Sequence, residues 1–280
     1  MTNSWSAAAR RSLQSMGMKT LMLPKSVILL GASNLTLALP RLWHGLIGAW
    51  PEPLEMFAAD GHGRSYGNWR RVGPRGLPGI VSCHLWDELN AQPSTPSDRP
   101  RALIADIGND LLYGAEPEQI AAWVETCLQR LFAINARIVV TGLPVASIQK
   151  LSRSRFEFMK LLMFPGSRLR FDEVESKLTR LNQLVADLAR TYHAVLVEKR
   201  GEWYGFDPIH IRRRFRATAW REILASWFDA SSEFDFPSVG LNGSMRLWRQ
   251  RPIERRWLGR IQHAVQPALR EPDGTSLWLF

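Results

Sequence analysis

The chain has 280 residues, of which 45% are hydrophobic and 22% are charged, and its formal net charge is +10. This length suffices for one large α/β domain or two modest ones, and the composition is ordinary for a globular protein and does not force disorder. No apolar stretch reaches the roughly 20 residues that a transmembrane helix needs, so we expect a cytoplasmic protein. Cys83 and Cys127 lie outside any Cys/His cluster. They predict buried thiols in a reducing compartment and no metal or cofactor.

Five short apolar runs, often β-branched and each followed by a turn, predict buried strands. Between them, apolar residues at helical spacing predict helices. Pro40 predicts a kink or early break in the first helix, whereas Pro117 suits the first turn of the second. This alternation predicts a parallel sheet with helices on both faces. The strands cover residues 26–30, 54–58, 102–107, 137–141 and 194–197, and the helices 34–50, 117–133, 172–192 and 215–228.

The remaining segments set the expected organisation of the chain. Residues 70–78 and 91–100, rich in Gly, Pro, Arg and Ser, predict loops. The alternation stops near residue 231, and residues 246–270 hold seven arginines against one acid, with tryptophans interleaved. We therefore expect an N-terminal tail over 1–24, an α/β domain over 25–230 and a basic C-terminal appendage over 231–280. Such an appendage favours an anionic partner, although tryptophans packed back onto the core make nucleic acid the less favoured choice.

Ligands of doubly wound sheets bind at the carboxyl ends of the strands, where polar clusters follow three of the predicted strands. Ser33, in Gly31-Ala32-Ser33-Asn34, follows the first strand and precedes a helix. Free backbone N–H groups and the helix dipole stabilise negative charge there. Taken alone, the tetrapeptide favours a helix N-cap over a nucleophile.

Two further clusters and a later turn supply groups for acyl chemistry. Glycines of the segment 61–67 allow a backbone N–H to approach an oxyanion closely. Asn109, in Gly108-Asn109-Asp110, offers an amide donor, and Asp110 can pin a loop through backbone N–H groups. Asp207 and His210 are three residues apart in a turn, so the carboxylate can fix the imidazole tautomer.

These four blocks, in this chain order, resemble the SGNH, or GDSL-like, hydrolase family over about residues 25–227. The resemblance implies a three-layer flavodoxin-like fold with a five-stranded parallel sheet, and Ser33 as nucleophile with Asp207 and His210 completing its triad. It also implies an oxyanion hole made by the N–H groups of Ser33 and Gly63 and the side chain of Asn109, with Gly61 as the competitor of Gly63. Family members often carry Asp before the serine, where this chain has Ala32.

Three functions follow from these residues. The first is hydrolysis of a small-molecule carboxylic ester through an acyl-serine intermediate. An acyltransferase would use the same triad and would respond to an added acceptor. A non-catalytic binding module with a basic surface is disfavoured by the complete set of blocks.

Arg64 is a candidate for contacting an anionic substrate group, and His62 either lines the pocket or is structural.

Overall fold

The computed structural model describes residues 24–91, 99–164, 166–228 and 236–280. All but the last residue of the expected tail over 1–24, most of the expected loop over 91–100 and the start of the expected appendage lie outside these ranges. Within them, no helix is both long and apolar enough to cross a bilayer. Cys83 and Cys127 are buried free thiols, as predicted.

Eleven strands and nine α-helices make up the described part of the chain. The strands are β1 Lys25–Leu30, β2 Leu54–Ala59, β3 Arg70–Val72, β4 Arg75–Leu77, β5 Arg101–Ile104, β6 Arg137–Thr141, β7 Val195–Val197, β8 Glu254–Trp257, β9 Arg260–His263, β10 Leu269–Arg270 and β11 Ser276–Leu279. The helices are α1 Ser33–Ala49, α2 Leu85–Ala91, α3 Asn109–Leu112, α4 Pro117–Ala133, α5 Val145–Gln149, α6 Arg153–Met163, α7 Phe171–Thr191, α8 Arg216–Leu224 and α9 Leu241–Trp248. Short 3-10 turns cover Ile80–Ser82, Gly201–Trp203, Arg213–Phe215 and Ala225–Trp227.

The five strands predicted from sequence form a parallel sheet in the order β2-β1-β5-β6-β7. This is the strand order of flavodoxin-like sheets. Successive residues of a strand point to opposite faces, and Ile28 and Leu30 pack in one core while Val27 and Leu29 pack in the other. Helices α4 and α7 cover the first face, and α1 and α8 cover the second. The predicted three-layer α/β fold is confirmed.

Helix α1 runs through Pro40 without ending there, so of the two outcomes expected at Pro40, a kink or an early break, the early break is wrong. Proline lacks the N–H that would bond the carbonyl of Thr36 four residues earlier. The indole Nε1 of Trp248, from α9, donates to that carbonyl at 3.4 Å. A distant residue thus supplies the missing donor, which the local sequence cannot reveal.

The C-terminal residues extend the sheet rather than lying outside it. Strand β11 pairs in parallel with β2, and β10 pairs antiparallel with β11, so the main sheet has seven strands rather than five. The segment predicted as a loop over 70–78 forms the hairpin β3-β4, which continues through β8 and β9 into a small antiparallel sheet. The sequence did not predict this hairpin because β4 also pairs with β8, whose residues 254–257 are distant in the chain.

Leu277 provides a test of whether the C-terminal strand belongs to the core. Its side chain is fully buried, whereas Leu241 on α9 is 79% exposed. We expect Leu277→Ala to lower the free energy of unfolding by about 2–5 kcal/mol. The control Leu241→Ala should change it by less than about 0.5 kcal/mol. Urea denaturation measures both, and equal small effects would show that β11 is dispensable to the domain.

Candidate active site

Ser33 lies at the junction between β1 and α1, as the first residue of the helix. The preceding turn is tight: a Cβ on Gly31 would lie 3.1 Å from Cβ of Leu35 and 3.3 Å from the carbonyl oxygen of Ala105. Glycine at position 31 therefore lets the backbone of this turn pass close to Leu35 and to the carbonyl of Ala105. The N–H of Ser33 belongs to the first helical turn, where backbone N–H groups have no partner within the helix.

Ser33, His210 and Asp207 form a continuous hydrogen-bonded line. His210 Nε2 lies 2.8 Å from Ser33 Oγ, and His210 Nδ1 lies 2.6 Å from Asp207 Oδ2. An imidazole that carries its proton on Nδ1 donates to the carboxylate and accepts from the serine hydroxyl. Residues 177 positions apart in the chain thus meet at the carboxyl end of β1.

Asp207 is held as an anion by its surroundings. Burial by itself would raise the pKa of Asp207, but the hydrogen bond and charge of His210 and the N–H groups of Ile209 and His210 lower it below the usual 3.8. Its Oδ1 accepts those two N–H groups at 3.0 and 3.1 Å. An ionised carboxylate at this position fixes the imidazole tautomer and stabilises the imidazolium form.

Asp106 braces the serine-bearing turn. Its Oδ2 accepts the N–H groups of Ala32 and Leu35, both at 3.1 Å. The carboxylate therefore caps α1 from the turn that follows the neighbouring strand β5 and complements the helix dipole. Asp106 has a φ of 59°, the left-handed region that Asp tolerates better than most residues. It supplies the bracing carboxylate that Ala32 does not.

Asn34 ties the serine turn to the histidine loop. Its Nδ2 donates to Asp106 Oδ1 at 2.9 Å and to the carbonyl of Ile209 at 2.8 Å. Its Oδ1 accepts the N–H of Ile211 at 2.8 Å. The backbone on both sides of His210 is thereby fixed to α1.

Lys199 completes this buried network. Its Nζ lies 3.6 Å from Asp106 Oδ1, and only 6% of its side chain is exposed. Burial lowers the pKa of Lys199, while the charge of Asp106 opposes that change. Sequence reasoning missed both residues, since the predicted strand ran to residue 107 and so enclosed Asp106. The available signal was an acidic residue at the carboxyl end of a central strand.

Asn109 and Asp110 lie at the start of the short helix α3. Asn109 Nδ2 is buried and has no hydrogen-bond partner among the described residues. Asp110 accepts from the Ser65 hydroxyl and, at 2.8 Å, from the N–H of Tyr66. It therefore pins the loop after β2, as expected. Burial raises the pKa of Asp110, and the bonds from Ser65 and Tyr66 act in the opposite direction.

The residues after β2 have structural contacts that the sequence did not predict. Gly63 has a φ of +64°, and its carbonyl accepts from the Tyr113 hydroxyl at 2.7 Å. Donation by its N–H to an oxyanion stays a prediction, as does the competing role of Gly61.

The idea that Arg64 contacts substrate is wrong, because Arg64 is 1% exposed and donates to the carbonyls of Pro78, Asp60 and Phe280. His62 lines a different cleft, and burial lowers its pKa.

A pocket opens beside Ser33. Its polar end holds Ser33, Asn109 and Lys199, and the remainder is predominantly apolar. Helices α3, α5, α6 and α7 supply most of the apolar walls. Representative apolar side chains of this acyl pocket, as we call it below, are Leu111, Ile148, Phe156, Met159, Phe164 and Leu178.

No family model and no curated protein matches the sequence significantly. The structure is similar to several solved esterases at low identity. A psychrotrophic esterase, EstA, from Pseudoalteromonas sp. is 12% identical, with a TM-score of 0.44 over 72% of this chain and 97% of the other. For TesA the identity is 15% and the TM-score 0.45, over 72% and 96% of the chains. For AlinE4, an esterase of the SGNH-hydrolase family, they are 16% and 0.40, over 81% and 92%.

Proposed function

We propose that this protein hydrolyses carboxylic esters through a covalent acyl-serine intermediate, with Ser33 as nucleophile, His210 as base and Asp207 as orienting carboxylate. The observation that carries the proposal is the 2.8 Å separation of Ser33 Oγ and His210 Nε2, extended by the 2.6 Å contact of His210 with Asp207. A nucleophile bonded to a base that a third group orients is the arrangement required for nucleophilic acyl transfer.

In the first half-reaction the Ser33 hydroxyl attacks the ester carbonyl as its proton passes to His210 Nε2. The resulting imidazolium is stabilised by Asp207 and returns its proton to the departing alcohol as the carbon–oxygen bond breaks. The acyl group is then bound to Ser33 Oγ. Each proton transfer uses the same nitrogen, so no further titratable group is needed.

Charge develops on the carbonyl oxygen during this attack, and the site offers donors for it. Asn109 Nδ2 is a buried donor with no partner among the described residues, and it lies in the wall of the pocket that Ser33 lines. A buried donor without a partner is costly in the resting protein but is available to an oxyanion. The Ser33 N–H, and by the sequence prediction the Gly63 N–H, complete the set of donors.

In the second half-reaction water attacks the acyl carbon as its proton passes to His210 Nε2; the bond to Ser33 Oγ then breaks, the acid leaves, and His210 returns the proton to Oγ. An acyltransferase would form the same acyl-enzyme and differ only in the molecule that resolves it. The predominantly apolar walls of the acyl pocket match an apolar acyl group, because burying its surface there is favourable.

Ser33→Ala tests the identity of the nucleophile. It should abolish covalent labelling by a fluorophosphonate and reduce p-nitrophenyl ester hydrolysis to background, because His210 then has no hydroxyl to activate. Intact mass spectrometry and an absorbance assay measure the two outcomes. The control Ser82→Ala changes an exposed serine and should label normally. Persistent labelling and turnover in Ser33→Ala would identify another nucleophile.

Asn109→Ala tests the oxyanion donor. We expect kcat to fall by about 100-fold or more, with KM and the urea midpoint close to those of the unmodified protein, since Nδ2 has no protein partner to lose. The control Asn242→Ala removes an exposed amide on α9 and should leave kcat unchanged. A large loss of stability with kcat retained would assign Asn109 a structural role instead.

A further inference from the structure

A second concave site adjoins the acyl pocket. It shares Leu112 and Phe164 with the acyl pocket as common walls. Its character is different, because its rim is made by guanidinium groups and aromatic or hydroxyl side chains. We call it the arginine cleft, lined by Trp69, Arg70, Arg71, Tyr113, Ser167 and Arg168.

The three arginines of this cleft form no ion pair among the described residues. No carboxylate oxygen there lies within ion-pairing distance of Arg70, Arg71 or Arg168, although burial raises the pKa of Asp110 and the charge of Arg70 acts on that carboxyl in the opposite direction. Arg71 and Arg168 are exposed. Guanidinium groups without an ion-pair partner can bind the oxygens of an anionic ligand through charge-assisted hydrogen bonds.

Contacts with Tyr113 hold the Arg70 side chain in place, but one of its hydrogen-bond donors has no partner among the described residues. Its guanidinium stacks on the Tyr113 ring at 4.3 Å and donates to the Tyr113 carbonyl at 3.4 Å. Its Nε is buried and has no partner among the described residues. The side chain is therefore preorganised by stacking while one of its donors remains unused, and preorganised donors bind ligands at a lower entropic cost.

The small antiparallel sheet adds a positive field around the cleft. Its four strands carry six arginines and one acid, Glu254. Clefts lined by charge of one sign attract and concentrate ligands of the opposite sign. The arginines are Arg70, Arg71, Arg75, Arg255, Arg256 and Arg260.

We propose that the arginine cleft binds the phosphate or carboxylate group of an amphiphilic substrate whose apolar part occupies the adjoining acyl pocket. The inference rests on the proposed function, which assigns that pocket to the acyl group. Phosphate and carboxylate share the oxygen geometry that planar guanidinium groups recognise through paired hydrogen bonds. The substrate class is then an anionic amphiphile rather than a neutral short-chain ester.

Binding to the Ser33→Ala protein tests this inference without turnover. Octyl phosphate, octanoate and the neutral octanamide are titrated by calorimetry below their micellar concentrations. We expect the preferred anion to bind about tenfold or more tighter than octanamide, which corresponds to about one net charge-assisted contact. The tighter of the two anions identifies the group. The preference should shrink between about 0.05 and 0.5 M salt, because exposed charges are screened.

Paired charge variants assign the preference to the cleft. The double variant Arg71→Gln with Arg168→Gln should lose most of the preference for either anion over octanamide, because only Arg70 remains in the cleft, while its affinity for octanamide is unchanged. The control Arg99→Gln with Arg190→Gln removes two exposed arginines near the opposite, amino-terminal edge of the sheet and should retain the preference.

Equal affinities for all three ligands, or a preference that survives in the cleft variant, would overturn the inference. These results are separate from the labelling of Ser33. Normal labelling without anion preference refutes only the cleft assignment. Anion preference without Ser33 labelling refutes only the proposed reaction.

Discussion

The arrangement of the candidate site depends on one side chain, the amide of Asn34. It holds the carbonyl of Ile209 and the N–H of Ile211, so the backbone on either side of His210 is fixed to the start of α1. Ser33 is the adjacent residue of that helix. The separation of Ser33 and His210 is thus set by a short path through one residue, whereas the covalent path between them runs through 177 positions. A loop histidine held only by its own backbone would sample many orientations. The other orientations would place its Nε2 farther from Ser33 Oγ.

Burying such a network is favourable only because its polar atoms are satisfied. Asp106 accepts two backbone N–H groups and the Asn34 amide, and Lys199 lies near enough to balance its charge. A buried carboxylate without these partners would cost several kcal/mol. In contrast, Asn109 Nδ2 and Arg70 Nε are buried without partners in the described structure. Further buried polar atoms without partners, such as Arg212 Nε and Trp227 Nε1, lie elsewhere in the described structure. Asn109 and Arg70 differ from them in lining the two pockets where the proposals place substrate groups.

Sequence patterns predicted the features that depend on local chemistry. Buried parallel strands are recognisable as short apolar runs, and the polar clusters that follow them meet at one edge because parallel strands end together. Features that join distant segments were missed. The hairpin over 70–78 needs β8, Thr36 needs Trp248 to replace the donor lost at Pro40, and Arg64 is buried because carbonyls from three separate segments surround it. Asp106 was hidden by an error of three residues in the end of β5, which was enough to change a turn residue into a strand residue.

The rate of fluorophosphonate labelling of Ser33 in Asn34→Ala tests the central claim most directly. Removing the amide frees the His210 loop but leaves Ser33, His210 and Asp207 intact, so the second-order labelling rate should fall by about tenfold or more in protein shown to be folded. The matched variant Thr36→Ala loses a hydroxyl bond to the Ala32 carbonyl in the same helical turn, and it should label at the unmodified rate. Folded Asn34→Ala protein that labels as fast as the unmodified protein would contradict the account, since the base would then be held by something other than the Asn34 amide.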